Sequence, residues 1–273
     1  MIRPDLEAIP PYVPGVRDER AIKLSSNECA EGPLPPVLDA MRKALGEINR
    51  YPDIGALQLR AALGEHLGVA PEQVALGAGS SALCQQLVSI AAQPGDEVIF
   101  PWRSFEAYPI FVQVVGATPV RVPLGSDDRL DMPALAAAVT DRTKLIFICN
   151  PNNPTGTTIT GAEFAAFMDE VPADVLVVLD EAYFEYNHAA DTPVATEVIT
   201  RYPNVVGLRT FSKAYGLAGA RIGYAFGPRP IIEALNKVSI PFSVSAVAQE
   251  AALASLEAQE ALRARIDGTV AER

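Results

Sequence analysis

Three polar clusters in this sequence each follow an apolar run, and a fourth motif joins a run to a helical pattern. Gly77-Ala78-Gly79-Ser80-Ser81 is that fourth motif. Glycines at such a point let the backbone approach a phosphate, and a helix N-terminus presents free amides to it. An ordinary strand-to-helix turn would look the same, because glycine-rich turns are common. A dinucleotide fingerprint fits less well. It needs an acidic side chain at the end of the next strand to hold a ribose, whereas Asp96 and Glu97 precede that strand. Asn150-Pro151-Asn152-Asn153-Pro154-Thr155-Gly156 follows the apolar run 144–149, and its composition alone says only loop. Asp180-Glu181-Ala182-Tyr183 ends the next run, 175–179, and Thr210-Phe211-Ser212-Lys213 follows the one after, 204–208. An aspartate at the end of an apolar strand pays heavily in desolvation unless it meets a cation, and a protonated ring nitrogen is a natural companion. Lys213 stands in an apolar, hydroxyl-rich segment. A lysine is usually a solvated surface residue, and it becomes a nucleophile only when its amine is held neutral.

These clusters need a scaffold that brings successive strand ends together. The runs 144–149 and 175–179 are almost continuously apolar, as expected of strands covered on both faces in a mostly parallel sheet. Shorter runs at 74–76, 97–100, 118–122, 204–208 and 222–226 supply further strands. Helical spacing is found at 37–48, 56–67 and 82–92, and an alanine-rich helix is expected over 246–261. Strands alternating with helices predict an α/β three-layer domain, in which ligands bind at the carboxyl ends of the strands. The first 35 residues are rich in proline and glycine, among them Pro4, Pro10, Pro11, Pro14 and Gly15. They predict an extended N-terminal arm of the kind that wraps a partner. The division expected is an arm over 1–35, a large domain over 36–238, and an interdomain helix leading into an incomplete small domain over 239–273.

Composition narrows the function. The chain has 273 residues, 49% hydrophobic and 20% charged, ordinary for a globular protein with a sizeable core. Its net charge of −11 opposes binding to nucleic acid or anionic membranes. Neither a signal-peptide pattern nor an apolar run of roughly 18 residues is found, so a cytoplasmic location is expected. Cys29, Cys84 and Cys149 are too few and scattered for a disulfide framework, and with only His66 and His188 no metal cluster is expected.

Taken together, Asn153-Pro154-Thr155-Gly156, Asp180-Glu181-Ala182-Tyr183, Ser212-Lys213 and Arg221-Ile222-Gly223 resemble the signature series of class I/II aminotransferases. These are pyridoxal-phosphate enzymes of fold type I, and the likeness is to the histidinol-phosphate aminotransferase-like branch. The resemblance covers nearly the whole chain. It implies that Lys213 carries pyridoxal 5'-phosphate as a Schiff base and shuttles the proton, and that Asp180 pairs with the pyridine nitrogen. It gives Asn153 and Tyr183 the phenolate oxygen, and Phe105 the ring face. For the phosphate it implies the amides of Ala78, Gly79 and Ser80, with Thr210, Ser212 and Arg221. Tyr51 corresponds to a tyrosine that reaches the phosphate of a neighbouring subunit, so a homodimer with shared active sites is implied.

The same resemblance implies an amino acid donor and a 2-oxo acid acceptor. The loop Trp102-Arg103-Ser104-Phe105-Glu106 is more similar to that of actinobacterial-type aromatic amino acid aminotransferases than to that of histidinol-phosphate enzymes. The expected reaction is therefore transamination of phenylalanine or tyrosine with 2-oxoglutarate, with histidinol phosphate as the alternative donor. Trp102 and Asn27 are the substrate-pocket candidates, although Trp102 is equally suited to ordinary packing and Asn27 to a polar turn. Members of the family carry a small C-terminal domain whose arginine clamps the substrate carboxylate, and Arg263, Arg265 and Arg273 do not match it. A non-catalytic protein that keeps the cofactor fold is the remaining alternative.

Overall fold

The computed structural model describes residues 2–9, 11–12 and 20–273; Pro10, Pro14 and Gly15 of the expected arm lie outside the described residues. The rest of the arm is largely exposed, with short 3-10 turns at Pro4–Ala8 and Ser25–Asn27. The chain then forms α1 (Pro35–Ala44), opened by proline at the position where no amide is needed, and α2 (Leu57–Leu67). After β1 (Val74–Gly77) come α3 (Ser80–Ala91), β2 (Glu97–Trp102), α4 (Tyr108–Val114), β3 (Thr118–Pro123) and α5 (Met132–Ala137). Next follow β4 (Thr143–Cys149), α6 (Gly161–Glu170), β5 (Leu176–Asp180), α7 (Ala195–Val198), β6 (Val205–Thr210) and β7 (Gly223–Phe226). The chain closes with α8 (Arg229–Val238), α9 (Ala246–Glu257) and α10 (Gln259–Ala271).

The seven strands form one sheet in the order β1-β7-β6-β5-β4-β2-β3, parallel except for the two pairings of β7. The continuous apolar runs become central strands because both their faces are covered. Ile146, Ile148, Val177 and Leu179 join Leu59, Leu63, Phe164 and Phe167 in one core layer. Leu145, Phe147, Val178, Val206 and Leu208 join Leu83, Leu87, Val112 and Ile232 in the other. No helix among the described residues is long and apolar enough to cross a membrane.

Two features position the site. The strand order reverses between β2 and β4, which opens a crevice beyond their carboxyl ends. On the other side, β7 runs against its neighbours, so Gly223 at its start pairs with both Gly77 at the end of β1 and Thr210 at the end of β6. The glycine loop and the Thr210 cluster, 133 residues apart in sequence if counted from Gly77, thereby meet across a single residue. Gly223 cannot carry a side chain, because a Cβ there would collide with the amide of Ser80 and lie 2.9 Å from the carbonyl carbon of Gly79.

The alanine-rich segment is not one helix. It breaks at Ala258 (φ −91°, ψ 34°), and α10 turns so that Arg265 meets Glu31 at 2.9 Å and donates to the carbonyl of Gly32 at 2.7 Å. α9 lies against α1 and α2, and Ala248, Ala251 and Ala252 share the core layer of Leu59 and Leu63.

Candidate active site

A cavity of about 370 Å³ opens where the ends of β4, β5 and β6 meet the glycine loop. Its wall includes Asn153 and Pro154 beyond β4, Asp180 and Tyr183 at the end of β5, and Thr210, Ser212 and Lys213 at the end of β6. Ser80 and Ser81 come from the start of α3, Phe105 from the segment after β2, and Ser26 and Asn27 from the arm. The three polar clusters converge because parallel strands place their carboxyl ends side by side; Cys149, Asp180 and Leu208 are register partners across β4, β5 and β6.

Asp180 lies at the floor of this cavity, buried. Its Oδ2 accepts from the Tyr108 hydroxyl at 2.6 Å and its Oδ1 from the Ala182 amide at 3.2 Å. Burial pushes its carboxyl up to about 6, against the pull of those two donors and of Lys213. Lys213 is displaced the other way. Burial lowers its pKa, helped by Arg221 and opposed by Glu28 and Asp180, so the neutral amine is favoured more than in a free lysine. Its Nζ donates to the carbonyl of Ser26 at 2.8 Å. The Tyr183 hydroxyl accepts from Asn27 Nδ2 at 2.9 Å, and burial raises its pKa to about 12.

The opposite end of the cavity is an anion cradle. α3 begins at Gly79 without any side-chain cap, so the first amides of the helix stay available. Arg221, held in the left-handed region at φ 56°, donates to Ser212 Oγ at 3.3 Å, Ser81 Oγ at 3.2 Å and the carbonyl of Ala78 at 3.3 Å. Its guanidinium occupies the space that a Cβ on Gly79 would need. Glycine here serves close approach as well as its own φ of 83°.

Four expected site residues do not line this cavity. Ala78 and Gly79 lie beneath the cradle, in contact with Arg221, and not on the cavity wall. Tyr51 is exposed on the outer surface, stacked on Phe242 with ring centroids 4.6 Å apart. Trp102 does not line the cavity. As the last residue of β2 it pairs with Pro123, packs its edge on Phe100, and lies beneath the guanidinium groups of Arg103 at 4.7 Å and Arg121 at 5.3 Å. Arg103 and Glu106 of the same loop face the cavity in its stead. The sequence pattern names Ser81 only as the end of the glycine motif and assigns no role to the backbone carbonyl of Ser26 or to Tyr108. Ser81 was legible from its place in the first turn of α3; Tyr108 looked like any core aromatic.

The profile of the aminotransferase class I and II family matches residues 19–272. The aromatic amino acid aminotransferase of Corynebacterium glutamicum strain R is 64% identical over 273 residues, covering 100% of this chain and 80% of that protein. Among solved structures, histidinol-phosphate aminotransferase of Sinorhizobium meliloti in complex with pyridoxal-5'-phosphate superposes with a TM-score of 0.82 at 36% identity. That match covers 88% of this chain and 65% of that one. A mutant aspartate aminotransferase of Thermus thermophilus superposes with a TM-score of 0.85 at 28% identity, covering 99% of this chain and 75% of its own. The residues present suit pyridoxal phosphate. An uncapped helix start with Arg221 and Ser212 answers a phosphate, a buried carboxylate answers a ring cation, and a lysine with a lowered pKa lines the same cavity. The chain belongs to the class I and II family of pyridoxal-phosphate-dependent aminotransferases.

Proposed function

We propose that the protein transfers the amino group of an aromatic amino acid, phenylalanine or tyrosine, to 2-oxoglutarate. The observation that carries the aromatic reading is the 64% identity, over the whole of this chain, to a protein named for that activity. Bound pyridoxal phosphate supplies a carbonyl that captures an amine, and a cationic ring that takes up the electrons left behind by the α-proton. The chain's residues do the rest. Lys213 holds the cofactor and, as a neutral amine, moves the proton at the substrate's α-carbon. Asp180 keeps the ring nitrogen protonated. Asn153 and Tyr183 stabilise the phenolate oxygen, Phe105 covers the ring face, and the amides at the start of α3 hold the phosphate with Thr210, Ser212 and Arg221.

This reading includes a homodimer in the cytoplasm. The segment 48–57 exposes Ile48, Tyr51, Ile54 and Leu57, and Ile240 lines the same groove as Ile54, each of the five more than half exposed. Such a group suits a partner surface, and Tyr51 would then reach a second copy's phosphate. A second donor, histidinol phosphate, is favoured by one feature, the Arg103 guanidinium at the cavity wall. A donor panel with 2-oxoglutarate separates the two. Phenylalanine and tyrosine are expected to exceed histidinol phosphate in kcat/KM, and the reverse order would replace the aromatic reading by the runner-up.

A further inference from the structure

Tyr108 has no part in the reaction as described so far, yet it touches the residue on which the ring's charge depends. It opens α4, and its ring is fully buried, stacked on Phe147 with centroids 4.2 Å apart and planes 12° from parallel. Phe100 and Phe105 pack against it at 5.9 Å and 5.4 Å. That apolar surround is equally suited to phenylalanine, so packing alone does not explain the hydroxyl. The hydroxyl donates to Asp180 Oδ2 at 2.6 Å. A phenol offers one hydrogen bond and no positive charge, so it orients a carboxylate without cancelling it. The ring of Phe105, which faces the cavity, leans edge-on against the same tyrosine.

We propose that Tyr108 is a positioning residue for transamination, a neutral donor that fixes the Asp180 carboxylate toward the cofactor ring while leaving its charge for the ring nitrogen. The inference rests on the aminotransferase reading of Asp180. The other titratable groups about Asp180 come from the neighbouring elements: Cys84 on α3, Cys149 on β4, Glu181, which is bonded to Arg209, and Tyr183 beyond β5, and Lys213 beyond β6. Both thiols are buried and raised, Cys149 to about 12, so they stay protonated and bring no charge. Lys213 is the one cation among these groups, and its amine is bonded to the arm at Ser26. The donated hydrogen bond therefore bears directly on how readily Asp180 stays ionised.

The test is a titration of the apoprotein with pyridoxal phosphate, followed by absorbance across pH, for Tyr108→Phe, for fluorotyrosine inserted at position 108, and for Asp180→Asn. Affinity in the unaltered protein is expected to fall on the acid side as Asp180 protonates near its folded value of about 6. Tyr108→Phe should move that fall to higher pH and weaken binding about tenfold there, the scale of a lost hydrogen bond to a charged group. Fluorotyrosine is a more acidic and stronger donor of the same shape, so it should move the fall to lower pH. It also carries the test if the phenylalanine variant folds poorly. A merely structural tyrosine would weaken binding equally at every pH. If the acid fall stays in place in both Tyr108 variants while Asp180→Asn weakens binding, the inference is overturned. If Asp180→Asn binds like the unaltered protein, the reading of Asp180 falls and the part assigned to Tyr108 falls with it.

Discussion

Asp180 and Glu181 are adjacent buried carboxylates at one strand end, and they are treated in opposite ways. Glu181 has a resident cation. Its Oε2 accepts from Arg209 Nε at 2.8 Å and its Oε1 from the Ala195 amide at 2.8 Å, and the Arg209 guanidinium lies 3.5 Å over the Phe184 ring. Asp180 faces the cavity and receives only the Tyr108 hydroxyl and the Ala182 amide. Burial raises the pKa of both, but only Glu181 has an arginine bonded to it. A buried anion with a built-in cation is a bolt between strands, here β5 and β6. A buried anion supplied only with neutral donors is prepared for a cation that arrives with a ligand.

Removing one partner of the bolt is expected to have the largest effect. Glu181→Gln strands the Arg209 guanidinium in the core, and breaking a buried pair this way costs about 3–5 kcal/mol, read from urea unfolding of the apoprotein. Unchanged stability would deny the contrast. Asp180→Asn should do the converse. It removes a costly buried charge, so the apoprotein should be as stable as before or more so, while the half-reaction with phenylalanine falls by at least about 10²-fold, the scale of lost electrostatic stabilisation. A half-reaction near that of the unaltered enzyme would remove Asp180 from the mechanism.

A smaller effect lies just behind the bolt. Burial pushes the Glu185 carboxyl up to about 7, and its Oε2 is shut from solvent with no partner. The folded state thus binds a proton that the unfolded chain has already released. Stability from this group is fully present below the ordinary glutamate range and is lost as pH rises through that range toward about 7. Glu185→Gln should flatten this slope and raise stability above neutral pH by up to about 3 kcal/mol. Melting temperatures of both proteins across pH check it, and parallel curves would show that Glu185 is already neutral or already paired.

The contrast also marks what sequence could and could not reveal. Runs such as 144–149 and 175–179 announce buried parallel strands, and a polar cluster after each announces a site at the strand ends. The positions of Asp180 and Lys213 follow from that logic. What a linear reading lacks is lateral distance. Nothing in the sequence says that β7 inserts between β1 and β6, so the meeting of Gly77, Gly223 and Thr210 is visible only in three dimensions. Tyr108 and Phe105 are three residues apart and equally aromatic, yet one turns its hydroxyl to Asp180 and the other its ring to the cavity. Trp102 looked like a pocket wall because it neighbours Phe105, but the register of β2 on β3 sends it toward Arg121. Sequence pattern names no partner for Glu181, and the Arg209 bonded to it lies on another strand.

The most direct measurement asks where the cofactor is attached. Pyridoxal phosphate is added to the apoprotein, the product is reduced with borohydride, and the labelled peptide is mapped. The account predicts a stable pyridoxyl group on Lys213, whose amine burial holds toward its neutral form at the cavity wall, and no such label in Lys213→Ala. A label on Lys144 or Lys237, or cofactor bound with nothing fixed by reduction, would contradict it.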